Sequence, residues 1–270
     1  MESGSPQMSD TVATAPFKRF VALGDSFVEG VGDVEARCPN GVRGWADRVA
    51  EVMARADPEF RYANLAVRGR LMSSIVSEQV VPAVAMQPDL VAISAGAGDL
   101  LRPAADIDTL IEDYDAAIGR LQDSGARVVT FTAHDTGGKS VFGALRGRFA
   151  VYNELLREVV ERRNLTLVDF WRMRVFRERA MWEFDRMHMS TAGHVYMAIE
   201  VLDALGIEHD LVPVKVGPPQ PISPSERRRD SRQWTVEHAM PWVGRRLRGV
   251  STGDTIAPRY PELTALTPST

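Results

Sequence analysis

A short apolar segment that ends in the tripeptide Gly24-Asp25-Ser26 constrains the fold of this chain more than any other feature. The preceding residues 20–23 are all apolar, and such a run that stops at a glycine-containing turn is typical of a buried strand. Open α/β sheets bind their ligands at the carboxyl ends of the strands, which is where this turn places Ser26. Ser26 is therefore a candidate nucleophile, although Gly-Asp-Ser alone is expected by chance in roughly one chain in fifteen of this length.

Apolar strands and amphipathic helices alternate along the chain after this turn. Further strands are predicted over 62–66, 90–94, 128–132 and 165–169, and helices over 41–57, 71–86, 106–123, 145–163 and 191–205. The 90–94 segment is apolar almost throughout, as expected of a strand covered on both faces. The alternation predicts an α/β fold in which a parallel sheet has helices on both faces.

The composition is that of an ordinary globular protein and narrows the range of partners. The 270 residues are 44% hydrophobic and 25% charged, and the net charge of -4 gives no reason to expect a nucleic-acid partner. No apolar run approaches the roughly 20 residues of a membrane span, so a cytoplasmic location is expected. Cys38 is the only cysteine, which excludes an intramolecular disulfide and a cysteine-based metal cluster. A catalytic Cys38 is the weaker hypothesis because no histidine lies near it in the sequence.

The chain divides by composition into three parts. Residues 1–16 are polar and are predicted to be a disordered leader, and residues 17–206 hold the alternating strands and helices. A proline- and arginine-rich extension follows from residue 207 to residue 270. Between residues 226 and 248 it contains seven arginines and three acidic residues. We interpret it as an appendage whose Trp234 and Trp242 pack on the domain while its arginines stay solvated. A lid, an oligomer contact and a site for an acidic partner are the alternatives, and 252–270 is predicted to be an extended or partly disordered tail.

A serine hydroxyl becomes a good nucleophile only when a base takes its proton and a third group orients that base. His188 is the best-placed histidine, since it lies just before the final predicted helix with Asp185 three residues upstream. Asp-x-x-His is expected by chance in about a quarter of chains of this length, and the alternative interpretation is a surface helix cap.

The other four histidines are weaker candidates. His194 lies within the final predicted helix and is expected to be structural. His134 follows the fourth predicted strand, so it faces the same edge of the sheet as Ser26 and is a candidate pocket residue. His209 and His238 fall in the extension and are expected to be solvated.

Four sequence blocks resemble those of the SGNH (GDSL-type) hydrolases in order and rough spacing. They are Gly24-Asp25-Ser26, the segment from Asn64 to Gly69, Gly96-Ala97-Gly98-Asp99, and the segment from Asp185 to His188. The resemblance extends from Val21 to about Leu205. It implies a flavodoxin-like three-layer α/β/α sandwich with a five-stranded parallel sheet. It also implies serine esterase, lipase or acyl-hydrolase chemistry that uses neither a metal nor another cofactor.

The resemblance also implies roles for individual residues. Ser26 would be the nucleophile, His188 the base and Asp185 the acid that orients it. The backbone amides of Ser26 and Gly69 would be two donors of an oxyanion hole. Four residues next to these blocks are the candidates for lining a substrate pocket: Asp25, Arg68, Asp99 and His134.

The chain departs from the family pattern at the third oxyanion donor. The family has an asparagine side chain where this chain has Gly98, and the loss of one such donor typically costs about 2.7–4 kcal/mol of transition-state stabilisation. Three alternatives stay open: a weaker hole that still serves reactive esters, a replacement donor, or a site that is specialised or inactive toward ordinary esters. The candidate replacement donors are the Gly98 amide, Arg68, Arg102 and the Ser73-Ser74 pair.

Motifs of other enzyme classes are incomplete. The Thr136–Ser140 segment contains Gly-Lys-Ser after a predicted strand, but a Walker A motif requires glycine at the position of Ala133. The dinucleotide-binding pattern Gly-x-Gly-x-x-Gly, the Gly-x-Ser-x-Gly elbow and zinc-type His/Glu spacing are all missing from the sequence.

The sequence therefore predicts a serine hydrolase that acts on a small-molecule ester, with no nucleic-acid, membrane or metal partner. The alternative is a binding module of the same fold, or a specialised acyl transferase with weak or no general esterase activity. Gly98 and the basic extension motivate that alternative. The acyl group, the alcohol group and the oligomeric state stay open.

Overall fold

The computed structural model describes residues 17–137, 143–217, 223–241, 244, 248 and 250–266. Several expectations fall outside the described residues. These are the leader over 1–16, the part of the phosphate-loop-like motif after Gly137, the packing of Trp242, and residues 267–270 of the tail.

The described strands form one sheet with the spatial order β5-β4-β3-β1-β2-β6. They are β1 Arg19–Leu23, β2 Arg61–Asn64, β3 Leu90–Ile93, β4 Arg127–Phe131, β5 Thr166–Val168 and β6 Tyr260–Thr264. The first five strands are parallel to their neighbours, and β6 is antiparallel to β2. The predicted fold class is confirmed. The expected number of five strands is too small by one, because part of the predicted tail closes the free edge of β2.

The described α-helices agree with the predicted positions and add three that were not predicted: the short helices after β1 and β3, and one in the extension. They are α1 Ser26–Glu29, α2 Trp45–Ala56, α3 Met72–Ile75, α4 Val81–Ala85, α5 Ala97–Leu100, α6 Ile107–Asp123, α7 Arg146–Arg163, α8 Thr191–Leu205 and α9 Pro224–Trp234. A π-helical turn Val76–Val80 joins α3 to α4, and another, Thr235–Ala239, follows α9. Within the part of the chain that is described, no helix combines the length and apolar character that crossing a membrane requires.

Both faces of the parallel part of the sheet are covered by hydrophobic clusters, which is the three-layer arrangement that the alternating pattern predicts. Along β1, Phe20 and Ala22 face one hydrophobic cluster while Val21 and Leu23 face the other. Helices α2 and α8 cover the first face, and α3, α4, α6 and α7 cover the second. A strand that packs on two sides has to be apolar at successive positions, which explains why the sequence shows continuous apolar runs there.

The strand order positions the Ser26 turn at the place where such folds bind ligands. The order β2-β1-β3-β4-β5 is that of flavodoxin-like sheets, in which the winding direction reverses between β1 and β3. Ser26 begins α1 directly after β1, and the Gly96–Asp99 block follows β3. The two blocks therefore flank the crevice at this switch point.

A buried arginine ties β6 to the elements beside the Ser26 turn. Arg259 is 4% exposed, and its guanidinium donates to Asp47 Oδ2 at 2.5 Å and to the Glu29 carbonyl at 2.9 Å. Its Nε–H donates to the Pro39 carbonyl at 3.0 Å. The end of the chain is thus connected to α1 and α2 by hydrogen bonds as well as by strand pairing.

Replacing Arg259 by Met is expected to lower the free energy of unfolding by about 3–5 kcal/mol, because it leaves the buried Asp47 carboxylate without its cation. Urea denaturation measures the change. The control is Arg55→Met, which removes an ion pair to Asp210 whose side chains are largely exposed and should cost no more than about 1 kcal/mol. Equal losses in the two variants would contradict this account of the Arg259 contacts.

Candidate active site

The Gly24-Asp25-Ser26 turn is built by close approach of two strands. A Cβ atom at Gly24 would lie 2.7 Å from the Ser94 carbonyl oxygen and 2.6 Å from Val28 Cγ2, so no other residue fits at this position. Asp25 then caps α1, since its Oδ1 accepts the Phe27 amide at 3.0 Å. Ser26 is consequently presented as the first residue of a helix at the end of β1.

A buried glutamine, which sequence reasoning did not identify, holds this turn from the neighbouring helix. Gln79 is 3% exposed, and its side-chain oxygen accepts the Gly24 amide at 2.7 Å. Its Nε2–H donates to the Gly24 carbonyl at 2.9 Å. Both polar groups of the glycine are satisfied by one side chain, which fixes the position of the turn. The sequence did carry a signal for this role, because Gln79 is a polar residue on the buried face of the helix predicted over 71–86.

Asp185 and His188 form a compact, pre-organised pair. Asp185 Oδ2 accepts a hydrogen bond from His188 Nδ1–H at 2.5 Å, and Oδ1 accepts the amides of Met187 and His188 at 2.9 Å each. Burial acts to raise the pKa of Asp185, but the His188 side chain and these amides outweigh it and lower the pKa to about 2. Because the ionised carboxylate only accepts, Nδ1 carries the proton and Nε2 is left as the basic nitrogen.

Two observations place the Asp185–His188 turn beside the Ser26 turn. The Asp25 carboxyl lies close enough to His188 for an imidazolium there to lower the pKa of Asp25, opposing the larger effect of burial. A Cβ atom at Gly32, six residues after Ser26, would lie 2.1 Å from the Met189 carbonyl oxygen. The backbone segments that follow Ser26 and His188 therefore touch, although the two residues are far apart in the sequence.

His194 reinforces this contact from inside α8. Its Nδ1 accepts the Trp45 amide at 3.2 Å and its Nε2–H donates to the Val31 carbonyl at 3.2 Å. Burial lowers the pKa of His194 to about 4, so the ring is neutral at pH 7 and can play both roles. At the start of the same helix, Thr191 Oγ1–H donates to Asp33 Oδ1 at 2.8 Å. This geometry is that of a structural histidine.

Among the described residues, no hydrogen bond joins the Ser26 and His188 side chains. In the described part of the chain, the Ser26 hydroxyl makes no hydrogen bond to His188 or to any other group. Contacts of this kind are often long without a substrate and shorten only in the complex. The nucleophile and base assignments stay predictions, and the geometry places their backbone segments side by side.

The two blocks expected to supply oxyanion donors flank the Ser26 turn. Gly69 lies at the turn after β2 with φ of 78°. Gly98 lies in α5, where a Cβ atom would lie 3.4 Å from Leu71 Cδ2, the one described atom within 4 Å. The neighbouring Asp99 is buried, and its carboxylate accepts the Met72 amide at 3.0 Å. The Asp99 side chain therefore connects the β3 turn to α3.

The Arg68 guanidinium is directed to a buried carboxylate. Its Nη2–H donates to Glu29 Oε1 at 2.5 Å and its Nε–H donates to both carboxylate oxygens at 3.0 Å. Glu29 is fully buried, so this ion pair links the end of α1 to the β2 turn. This ion pair uses two nitrogens of Arg68, which was a candidate replacement for the third oxyanion donor. Arg102, another such candidate, is exposed.

His134 belongs to an aromatic cluster that reaches both turns. Its ring centre lies 4.9 Å from that of Trp182 and 5.7 Å from that of Phe170. Phe170 in turn stacks on Phe27, the residue after Ser26, at 5.6 Å. Burial lowers the pKa of His134 to about 4, so it is neutral at pH 7. Its place in a substrate pocket stays a prediction.

The remaining sequence candidates lie elsewhere. His209 Nε2–H donates to Asp203 Oδ1 at 3.2 Å, and the ring of His238 packs on that of Phe184 at 5.5 Å. Burial raises the pKa of the Cys38 thiol, which makes it a poorer nucleophile. Among the residues described, no three His, Cys, Asp or Glu side chains come together in a way that could hold a metal ion.

Comparison with known proteins gives one family and one fold. The model of the GDSL-like lipase/acylhydrolase family matches residues 22–196, which is more than half of the chain. No curated protein matches the sequence. An acetylxylan esterase from Geobacillus stearothermophilus is similar in structure, with a TM-score of 0.58 and 19% identity over 71% of this chain and 95% of that one. An alpha/beta hydrolase enzyme from the metagenome of Lake Arreo, Spain, has a TM-score of 0.59 and 21% identity over 72% and 97%.

Asp25→Asn should change how stability depends on pH. Burial raises the pKa of Asp25 from 3.8 to about 6, so the folded state binds the proton more tightly than the unfolded chain. This contribution to stability is present below pH 4 and is lost as the pH rises toward 6. Asparagine cannot titrate but keeps the oxygen that caps α1. The wild-type free energy of unfolding minus that of the variant should fall between pH 4 and 6 and stay level above, as measured by urea denaturation. A difference independent of pH would contradict the assignment.

Proposed function

This chain belongs to the GDSL-like lipase/acylhydrolase family and is a hydrolase of ester bonds; we propose that Ser26, His188 and Asp185 perform that hydrolysis. The observation that carries the proposal is the Asp185–His188 pair at 2.5 Å, held beside the turn that presents Ser26. An ionised carboxylate on Nδ1 orients the imidazole and stabilises the imidazolium that forms when Nε2 takes a proton. No other pair of described side chains combines this geometry with a neighbouring serine at a strand end.

The residues fit the two steps of acyl transfer. His188 Nε2 removes the Ser26 proton as the oxygen attacks the acyl carbon, and the resulting imidazolium gives that proton to the leaving alcohol. A water molecule, deprotonated by the same nitrogen, then attacks the acyl carbon, and the bond from that carbon to the Ser26 oxygen breaks. The imidazolium returns its proton to the Ser26 oxygen and the carboxylic acid is released. Asp185 stays ionised throughout, which its low pKa supports.

The oxyanion formed in each step requires donors on the same side of the site. The Ser26 amide belongs to the first residue of α1, and such amides have no partner within their own helix. The Gly69 amide comes from the adjacent β2 turn. We propose the Ser26 and Gly69 amides as the two oxyanion donors. At the position of the third donor this chain has Gly98, which lacks a side chain. The substrate class is a carboxylic ester of a small molecule.

Ser26→Ala should abolish hydrolysis of p-nitrophenyl acetate and p-nitrophenyl butyrate, because the attacking oxygen is removed. We expect kcat to fall at least about 1000-fold, as it does when the nucleophile of such a triad is lost. The wild-type protein should bind a fluorophosphonate probe covalently at Ser26, and intact-mass measurement detects the adduct.

The control is Ser77→Ala, which removes the hydroxyl of an exposed helical serine and should leave both the rate and the labelling unchanged. Turnover by Ser26→Ala at the wild-type rate, or a wild-type protein that the probe does not label, would refute the proposed chemistry.

Gly98→Asn should raise kcat toward p-nitrophenyl acetate by about tenfold or more, because it adds an amide donor where the family has one. The backbone of Gly98 is helical and a Cβ atom fits there. Gly98→Ala adds the Cβ atom without the donor and serves as the matched control. Equal rates in the two variants would show that the hole is completed by another group.

A further inference from the structure

Helix α9 of the extension turns one buried side chain toward the Asp185–His188 turn. Trp234 is 5% exposed, whereas Gln233 and Thr235 on either side of it are exposed. The indole Nε1–H donates to the main-chain carbonyl of Asp185 at 2.7 Å. The residue that orients His188 is therefore held from outside its own loop.

Two further contacts surround this hydrogen bond. Asp230 forms an ion pair with Arg186, and the Arg186 guanidinium lies 5.2 Å above the Trp234 ring centre. On the other side of Asp185, the Phe184 ring packs against that of His238 at 5.5 Å. The three partners from the extension are four residues apart, which places them along one side of a helical segment. This side of the helical segment therefore packs along residues Phe184–Arg186.

The turn needs such support because its tip is unusual. Arg186 has φ of 59°, a left-handed conformation that non-glycine residues adopt only when their surroundings impose it. Within the loop, the Glu183 amide donates to the His188 carbonyl at 2.8 Å and the Arg186 amide donates to the Glu183 carbonyl at 3.0 Å. These bonds close the base of the loop, whereas the side-chain contacts of Arg186 are made with α9.

Residues 250–266, which follow α9, contact the domain at the turn after β2. Ser251 Oγ–H donates to the Arg68 carbonyl at 3.3 Å. A Cβ atom at Gly253 would lie 2.0 Å from that same oxygen. Arg259 and β6 then join the sheet. The described residues after α9 are thus tied to the domain, and α9 and the turn after it are held there by Asp230, Trp234 and His238.

We propose that Trp234 is a positioning residue of the hydrolase, and that α9 is part of its active site. The inference rests on the proposed function, since it gives Trp234 a role that acts through Asp185. By holding the Asp185 carbonyl and stacking on Arg186, Trp234 keeps the carboxylate aligned with His188 Nδ1–H. A misplacement of about 1 Å in such a group can reduce a rate about 100-fold.

Trp234→Phe removes the indole N–H and keeps an aromatic ring under Arg186. We expect kcat for p-nitrophenyl acetate to fall about tenfold while KM stays within twofold of wild type. The matched control is Trp171→Phe, because Trp171 also stacks with an arginine, Arg146 at 5.8 Å, whereas in the described part of the chain it has no hydrogen bond or ring contact with the turn. Its kcat should stay within twofold of wild type. A Trp234→Phe protein with wild-type kcat would overturn the proposal.

A double-mutant comparison separates positioning from general stability. In an Asp185→Asn background the oriented pair is already lost, so Trp234→Phe should lower kcat by less than twofold further. If the substitution costs the same tenfold in both backgrounds, Trp234 does not act through Asp185 and the proposal fails.

Asp230→Asn provides a second test should Trp234→Phe not fold, since Asp230 lies at the surface and its loss leaves the core intact. We expect kcat to fall threefold or more at low ionic strength, and an unchanged kcat would overturn the proposal. Failure of the proposed function is distinguishable, because Ser26→Ala would then retain activity and the fluorophosphonate probe would not label Ser26.

Discussion

The site depends on the packing of the backbone after Ser26 against the backbone after His188. Gly32 meets the Met189 carbonyl so closely that a side chain is excluded, and the buried His194 bonds to the Val31 carbonyl from the same helix that follows His188. This contact turns two local motifs into one site. A shift of either segment would separate the candidate nucleophile from its base, however well each turn were formed by itself.

Electrostatic environment then distinguishes two carboxyl groups close to His188. Asp185 accepts three hydrogen bonds, which outweigh its burial and lower its pKa to about 2. Asp25 accepts fewer hydrogen bonds, so the effect of burial is larger than theirs and raises the pKa of Asp25 to about 6. The Asp185 carboxylate, with its lowered pKa, is therefore suited to orienting an imidazole, whereas the Asp25 carboxyl titrates near pH 6 and caps α1. Two acids of similar intrinsic pKa thus acquire different roles from their surroundings.

Whether the sequence predicted an element depends on how much apolar surface that element buries. The five parallel strands and the long helices carry continuous apolar runs or clear helical periodicity, and all were predicted within a few residues. Strand β6 is half exposed at an edge and has no apolar run, so it was predicted only as an extended tail. Helix α9 is mostly arginine and polar residues, although Ser223 and Glu226 form a capping box that marks its start.

By itself the sequence determined the α/β class, the turn that presents Ser26, and the local Asp185–His188 pair, because each depends on residues close together in the chain. The tertiary structure alone decided that Gln79 holds the Gly24 turn, that Arg68 pairs with Glu29, and that Trp234 reaches Asp185. These contacts join residues that are far apart in sequence, and no local periodicity encodes the geometry that brings them together.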